Sequence, residues 1–226
     1  MQTQIDDALM LDYVSGSLAE PVALAVATHL SLNDRARSAY AETMTLGGGL
    51  LCALDDESLS DDALDDVLAR LDDEDFGDEV VAAEMAGMDA AGLDDAALAL
   101  VPEPLRPYIK GSLDGLDWKR RGNGVTEARI DLPGSDVFRV SLLKVDPGRA
   151  MPQHSHRGRE YTVVLQGGYR DGDIDLDAGD FCEADGEDIH QPVADAKEGC
   201  LCLIVLDAPV RLTGALGWVV NPFLKT

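Results

Sequence analysis

Histidine is scarce in this chain, and three of its four copies form one pattern with a carboxylate. His154 and His156 stand two residues apart, Glu160 follows four residues later, and His190 lies further along the chain. In a β-strand, His154 and His156 point to the same face, and Glu160 lies at an even separation from both. Two imidazoles and a carboxylate can bind a divalent ion at about 2.0–2.2 Å, and a neighbouring strand could deliver His190. A histidine pair near a turn is also common in proteins without a bound metal. The prediction of a metal site therefore depends on the three histidines and the glutamate together.

The cysteines offer a second chemistry. Cys200 and Cys202 stand two apart in an apolar segment, where buried packing is the simpler interpretation and oxidation-sensitive thiols near the metal are the alternative. Cys182 has the same two interpretations. With Cys52, the four cysteines form no CxxC pair, which favours a reduced compartment over a secreted disulfide scaffold.

The elements that would position these residues are short strands. Segments rich in β-branched and apolar residues are separated by turn signals such as Pro147-Gly148 and Gly167-Gly168. Many short strands at this spacing predict an antiparallel barrel or sandwich over residues 106–226. The predicted strands are 126–132, 137–145, 160–166, 173–184, 200–206 and 217–220.

Residues 1–72 are predicted to form an all-α bundle. A short helix is expected over 6–15, a second after Ser17 and Glu20, which are spaced as in a capping box, and a third from Asn33 or Asp34 to about Leu54. The fourth helix has one apolar stripe on otherwise acidic faces, made of Leu64, Val67, Leu68 and Leu71. Residues 73–105 are predicted to be an acidic linker without a domain core.

The charge of the chain is unevenly distributed. Residues 1–100 hold 23 of the 43 acidic side chains and 3 of the 18 basic ones. This field opposes direct binding to nucleic acids or anionic membranes and suits a basic protein partner; the alternative is that the acidic residues serve solubility alone. The sequence contains no apolar run long enough to span a bilayer and no signal peptide, so a cytoplasmic location is expected.

The glycines around the histidines complete a known pattern. Gly148, His154, His156, Glu160 and Gly167 are spaced as in the first motif of the cupin superfamily, which the segment therefore resembles. The resemblance implies a double-stranded β-helix (jelly-roll) barrel in which His154, His156, Glu160 and His190 hold a metal, with zinc as the first candidate and iron, manganese or nickel as alternatives. The second motif, from Gly179 to His190, lacks the usual proline and is one residue longer.

The resemblance extends beyond the barrel. The segment ALMLDYVSGSLAEPVALAVATHLSLNDRARSAY (8–40) and residues 190–212 are similar to the two ends of the ChrR-type anti-sigma factors. That family joins a helical domain, which sequesters an extracytoplasmic-function sigma factor, to a cupin-like sensor of singlet oxygen and related oxidants. The resemblance implies such a sigma partner, contacted by the stripe from Leu64 to Leu71, and leaves the oligomeric state open.

The helical region departs from the family at its zinc site. An HxxxCxxC motif and an earlier histidine normally hold zinc there, but this chain keeps only His29 and has Asn33 and Ala36 at the cysteine positions and Gln4 near the first histidine position. His29 is therefore interpreted as part of an apolar helix stripe with Val22, Val26 and Leu30. The departure puts sigma binding itself in question.

Two other functions remain compatible with the sequence. Iron(II) held by His154, His156, Glu160 and His190 could activate oxygen, as in cupin dioxygenases, although no dedicated general base or substrate clamp stands out. The barrel could instead carry zinc for structure only.

Overall fold

The computed structural model describes residues 1–71, 92–132 and 137–213, and shows a helical region followed by an antiparallel β-barrel. The helices are α1 (Asp7–Val14), α2 (Glu20–Leu32), α3 (Asp34–Cys52), α4 (Ala63–Leu71) and α5 (Asp95–Leu100), with 3-10 turns at Glu103–Tyr108 and Leu113–Gly115. The strands are β1 (Lys119–Gly122), β2 (Val125–Arg129), β3 (Arg139–Val145), β4 (His154–His156), β5 (Glu160–Asp171), β6 (Ile174–Asp177), β7 (Phe181–Ala184), β8 (Val193–Ala194), β9 (Cys200–Leu206) and β10 (Val210–Leu212).

Local sequence explains where the first helices begin. Asp6 caps α1 by accepting a hydrogen bond from the Leu9 amide, and Asn33 caps α3 by accepting one from the Ala36 amide. The capping box expected for α2 is wrong. Ala19 is the N-cap without a side-chain bond, while the Ser17 hydroxyl donates to the Asp12 carbonyl oxygen. Pro21 in the first turn supplies the helical φ that starts α2.

Every strand pair in the barrel is antiparallel. The sheet runs in the order β1-β2-β3-β9-β5-β6, β7 and β8 also pair with β5, and β10 pairs with β4. Strand β5 pairs with β7 and β9 in its first part and with β6 and β8 in its last part. Between the two parts its register shifts, from Val164 to Gln166, next to Gly167. Gly167 has φ +65°, and a Cβ there would stand 2.1 Å from the Gly199 carbonyl oxygen, so this crossing requires glycine. The expected strand over 217–220 lies outside the described residues.

Two apolar clusters cover the two faces of the central strands. The inner cluster lies within the barrel and includes Cys200, Cys202 and Ile204 of β9. The outer cluster lies between the sheet and the helices and includes the alternating β9 residues Leu201, Leu203 and Val205. Strand β9 is therefore buried on both faces, which accounts for its unbroken apolar sequence.

The outer cluster joins parts of the chain that the sequence assigned to separate units. It contains Val26 of α2 and Val163 of β5, and also Leu93, Ala97, Val101 and Leu105. The expectation that the segment 73–105 holds no core residues is therefore wrong for 93–105. Of its buried apolar side chains, Leu93 precedes α5, Ala97 lies on it, Val101 ends it and Leu105 lies in the 3-10 turn that follows.

Candidate metal centre

Strand pairing brings three histidines to one point inside the barrel. His154 and His156 lie on β4 two residues apart, and the backbones of His154 and His190 exchange two hydrogen bonds of 3.0 Å. The ring centroids of His154 and His190 lie 4.2 Å apart, and each lies 5.1 Å from that of His156. All three side chains are buried, and one nitrogen from each falls within 4.8 Å of the others.

Hydrogen bonds to neighbouring oxygens engage the Nδ1 atoms of two of the histidines. His154 Nδ1 donates to the Pro152 carbonyl oxygen at 2.8 Å, and His190 Nδ1 donates to Asp171 Oδ2 at 2.8 Å. With Nδ1 engaged in each ring, Nε2 is the nitrogen that remains to face a metal ion. Burial lowers the pKa of His154 and of His156, which keeps these two imidazoles neutral. Neutral imidazoles with a free nitrogen are the form that binds a metal.

The spacing of the nitrogens fits a shared ion. His156 Nε2 and His190 Nε2 lie 2.9 Å apart. Two nitrogens bound to one zinc ion at about 2.0–2.1 Å in tetrahedral geometry stand about 3.3 Å apart, so these two atoms would separate slightly to share an ion. The buried Nδ1 of His156 makes no hydrogen bond within the described part of the chain. The three histidines therefore could hold a metal ion in this cupin-like barrel.

Glu160 stands beside this cluster. It begins β5, and its Oε2 lies 3.5 Å from His156 Nδ1, while its Oε1 accepts a hydrogen bond of 3.0 Å from the Thr162 hydroxyl. The contact with His156 has the distance of an ion pair without hydrogen-bond geometry. The structure thus brings together His154, His156 and His190 and places Glu160, the predicted carboxylate ligand, beside Nδ1 of the His156 ring.

Asp171 is a residue of the site that the sequence analysis missed. Its Oδ2 accepts from His190 Nδ1, and its Oδ1 accepts from the Gln191 amide at 3.2 Å. A carboxylate behind a ligating histidine fixes the orientation of the ring and raises its basicity. The predicted strand ended at Gln166, before the paired glycines, whereas β5 continues to Asp171 and carries it back to the histidines.

The cysteines line the inner cluster. Cys182, Cys200 and Cys202 are buried, and Cys52 is exposed. Burial raises the pKa of Cys182 to about 12, and a hydrogen bond with Cys200 together with burial raises that of Cys202 well above the usual value. These surroundings favour the neutral thiols of Cys182 and Cys202, and so favour the packing interpretation over the redox one.

The predicted stripe of α4 faces outwards. Leu64, Val67 and Leu68 are exposed, and the side chain of Leu71 lies outside the described residues. His29, by contrast, is buried with Val22, Val26 and Leu30, as its place on the α2 stripe predicted. Its Nδ1 hydrogen-bonds to the Gly179 carbonyl oxygen at 2.8 Å, and within the described ranges it joins no cluster of potential metal ligands.

Comparisons with known proteins give one consistent result. Residues 110–209 match the model of the ChrR cupin-like domain. The anti-sigma-E factor ChrR of Cereibacter sphaeroides is 36% identical over 221 residues, which are 98% of this chain and 97% of that protein. The crystal structure of Rhodobacter sphaeroides SigE in complex with the anti-sigma ChrR aligns with a TM-score of 0.71 and 34% identity, over 91% of this chain and 99% of that one.

Proposed function

The chain belongs to the family of ChrR-type anti-sigma factors, and from this membership we propose that it binds an extracytoplasmic-function sigma factor through its helical region. The observation that supports the proposal most directly is the 36% sequence identity to ChrR over 98% of this chain. The alignment with ChrR in its complex with SigE supports a sigma factor as the partner. The dioxygenase alternative is not carried further, because the near full-length relative is an anti-sigma factor.

The docking face that we propose lies on α3 and α4. Helix α3 has no buried residue, and apolar side chains of both helices are open to solvent. Leu50 is 73% exposed, Leu51 is 70% exposed and Leu68 is 49% exposed. Exposed apolar side chains that a partner covers together mark an interaction site, and we propose that those of the two helices are covered by the same sigma factor. We call the following residues the α3–α4 face: Met44, Leu46, Leu50, Leu51, Leu54, Leu64, Val67 and Leu68.

The charge around this face favours a basic partner. The segment between α3 and α4 carries five acidic residues, at positions 55, 56, 57, 61 and 62, and the first turn of α4 carries Asp65 and Asp66. A sigma factor binds nucleic acid, so it presents basic surfaces that such a rim attracts. The apolar centre would supply affinity, and the acidic rim would speed association and set orientation.

The barrel is proposed to carry the metal that the sensor half of the protein needs. His154, His156 and His190 would hold it, with Glu160 as a further ligand. Zinc suits three imidazoles and one carboxylate, and it would give the site structure without redox chemistry of its own. Glu160 also places a negative charge beside His154 and His156, which opposes the effect of burial on the pKa of each.

We further propose that an oxidant of the singlet-oxygen type is the signal and that the protein acts in the cytoplasm. Within the described ranges, no helix combines the length and apolar character that crossing a membrane requires.

The test is co-expression with an extracytoplasmic-function sigma factor encoded in the same genome. Full-length protein should purify as a complex with that sigma factor. The double substitution Leu50→Ser with Leu51→Ser should weaken binding by about tenfold or more, since buried apolar contacts dominate interfaces. Because both side chains are exposed, the free energy of unfolding of the free protein should hardly change.

A control variant on the barrel makes the result specific. Val137→Ser changes a side chain that is 75% exposed and far in sequence from the α3–α4 face, and it should bind the sigma factor as the unmodified chain does. Absence of any complex would overturn the proposed function. Equal affinity of the double variant and the unmodified chain would overturn the proposed face.

A further inference from the structure

Strand β7 is the part of the barrel that the helical region contacts through its backbone. One edge of β7 pairs with β5, from Val163↔Phe181 to Glu160↔Ala184. The opposite edge receives Gln2, in the segment that precedes α1. The Gln2 amide donates to the Glu183 carbonyl oxygen at 2.8 Å, and the Glu183 amide donates to the Gln2 carbonyl oxygen at 2.7 Å. Gln2 thus forms an isolated antiparallel β-bridge with the barrel sheet.

The turn before β7 is held by the end of α2. Its Gly179 carbonyl oxygen accepts the hydrogen bond of His29 Nδ1, and both the imidazole and this contact are buried. The His29 ring also packs on Phe181, with ring centroids 5.5 Å apart. Burial lowers the pKa of His29, which keeps the ring neutral, with its Nδ1 proton available for the carbonyl.

Gly179 allows this close approach of helix and barrel. It has φ +92°, and a Cβ at this position would stand 3.3 Å from the Leu32 carbonyl oxygen at the end of α2. Its amide donates to the Val164 carbonyl oxygen of β5 at 2.8 Å. The same glycine therefore contacts α2 through one backbone group and the central strand of the barrel through the other.

The other end of β7 leads directly to the histidine cluster. Cys182 belongs to the inner cluster and is paired with Thr162, whose hydroxyl bonds Glu160. Residues 185–189 connect β7 to His190. In this short connection Gly186 approaches the His156 carbonyl oxygen, at 3.1 Å from an added Cβ. A displacement of β7 would therefore move both the connection that carries His190 and the contacts of the helical region.

We propose that β7 is the element that couples the metal centre to the helical region, through Gln2 at its free edge and His29 at its preceding turn. The inference rests on the proposed function, because this coupling would transmit a change at the histidines to the helices that bind the sigma factor. The coupling itself is a property of this chain alone, and it can be measured without a sigma factor.

The experiment is amide hydrogen exchange on the full-length chain, first with chelator present. His29→Leu removes the hydrogen bond from the helix side and leaves the Gly179 carbonyl oxygen without its partner. Exchange in residues 185–190, which His29 does not contact, should become about fivefold faster or more. Ser31→Ala is the matched control, because Ser31 lies on the same helix, is exposed, and its hydroxyl donates to the Thr28 carbonyl oxygen of the same helix and not to the barrel. It should leave residues 185–190 unchanged.

The second arm starts from the barrel side and adds Zn²⁺ alone. In the unmodified chain, Zn²⁺ should slow exchange in β4 and β5 and also in α2. In Gly179→Ala, the slowing should stay within the barrel. The matched control is Gly172→Ala, because Gly172 also has positive φ, +58°, but has no atom within 4 Å of the added Cβ. This variant should behave as the unmodified chain.

Each outcome separates the coupling from the proposed function. Unchanged exchange at 185–190 in His29→Leu, or Zn²⁺ protection that never reaches α2 in the unmodified chain, would overturn the coupling through β7. If Zn²⁺ does not bind at all, the proposed metal fails and the chelator arm still decides the coupling. If the sigma factor does not bind, the proposed function fails and neither exchange arm changes.

Discussion

At the scale of single residues, Asp171 decides how well the histidine cluster is preorganised. It is buried at the end of β5 and fixes both the ring of His190 and the amide that follows it. Asp171→Asn keeps the shape but replaces the carboxylate with a weaker acceptor, so His190 loses orientation and basicity. We expect Zn²⁺ affinity, measured by competition with a chromophoric chelator, to fall about 10–100-fold.

The same hairpin provides a control for that prediction. Asp175 lies on β6 and pairs at the surface with Arg170, at 2.6 Å between Oδ1 and Nε. Asp175→Asn should leave Zn²⁺ affinity within about twofold, because exposed ion pairs contribute little. If both variants bound Zn²⁺ as tightly as the unmodified chain, Asp171 would have no role in positioning His190.

The thiols give a second prediction at this scale. Cys182, Cys200 and Cys202 are buried, and the pKa values of Cys182 and Cys202 are raised, whereas Cys52 is exposed at the end of α3. Because a thiol reagent needs an accessible thiolate, the native protein should react rapidly at one cysteine, and at four after denaturation. Absorbance of the released thiolate from an aromatic disulfide reagent counts them. Rapid reaction at Cys200 or Cys202 in the native state would restore the redox interpretation.

At the scale of elements, β9 shows what two-sided burial contributes. Leu203 is fully buried in the outer cluster, between the sheet and the helices. Leu203→Ala should lower the free energy of unfolding by about 2–5 kcal/mol, through lost apolar contact and a residual cavity. Urea denaturation followed by circular dichroism measures the loss. Val193→Ala, at a side chain that is 40% exposed on β8, should cost less than about 1 kcal/mol, and a similar loss in both variants would argue against the special position of β9.

Local pattern predicted the elements whose identity depends on their own residues. The strands over 137–145 and 200–206 correspond to β3 and β9, and the helix over 6–15 corresponds to α1. The His154–His156 pair was placed on one face by strand periodicity and by family spacing. These features need no knowledge of distant parts of the chain.

The features that were missed depend on contacts made elsewhere. The capping box at Ser17 fails because the hydroxyl finds a closer partner at Asp12. The core residues from Leu93 to Leu105 are spread through an acidic, alanine-rich segment, and only the neighbouring sheet gives them something to pack against. Asp171 joins His190 because β5 bends at Gly167, which alternation of apolar residues does not reveal.

At the scale of the whole molecule, the helical region and the barrel share one apolar cluster, so the two regions support each other. The α2–α3 corner, where the family has its zinc cysteines, is held by other bonds. Asn33 caps α3 through the Ala36 amide, and Arg37 donates to the Leu30 carbonyl oxygen at 2.7 Å and to that of Ser31 at 3.0 Å. His29, the one residue of the family's zinc site that this chain keeps, hydrogen-bonds to Gly179 of the barrel instead. A corner without metal is therefore compatible with an ordered helical region.

This arrangement makes stability depend on pH through His29. Burial lowers its pKa below the ordinary value near 6.5, although Asp180 acts in the opposite direction. Below pH 6.5 the unfolded chain therefore binds a proton that folded His29 rejects, so stability falls as the pH drops towards the folded pKa and is level above 6.5. Buried His154 and His156 act in the same direction.

In urea titrations with chelator at pH 7.5 and 5.5, His29→Leu should lose less stability on acidification than the unmodified chain. The difference should reach at most ~1.4 kcal/mol per pH unit. Repulsion among the acidic side chains weakens with acid equally in both proteins and cancels in the comparison. Ser31→Ala should follow the unmodified chain, and an identical pH response of His29→Leu would show that His29 is not held neutral against the barrel.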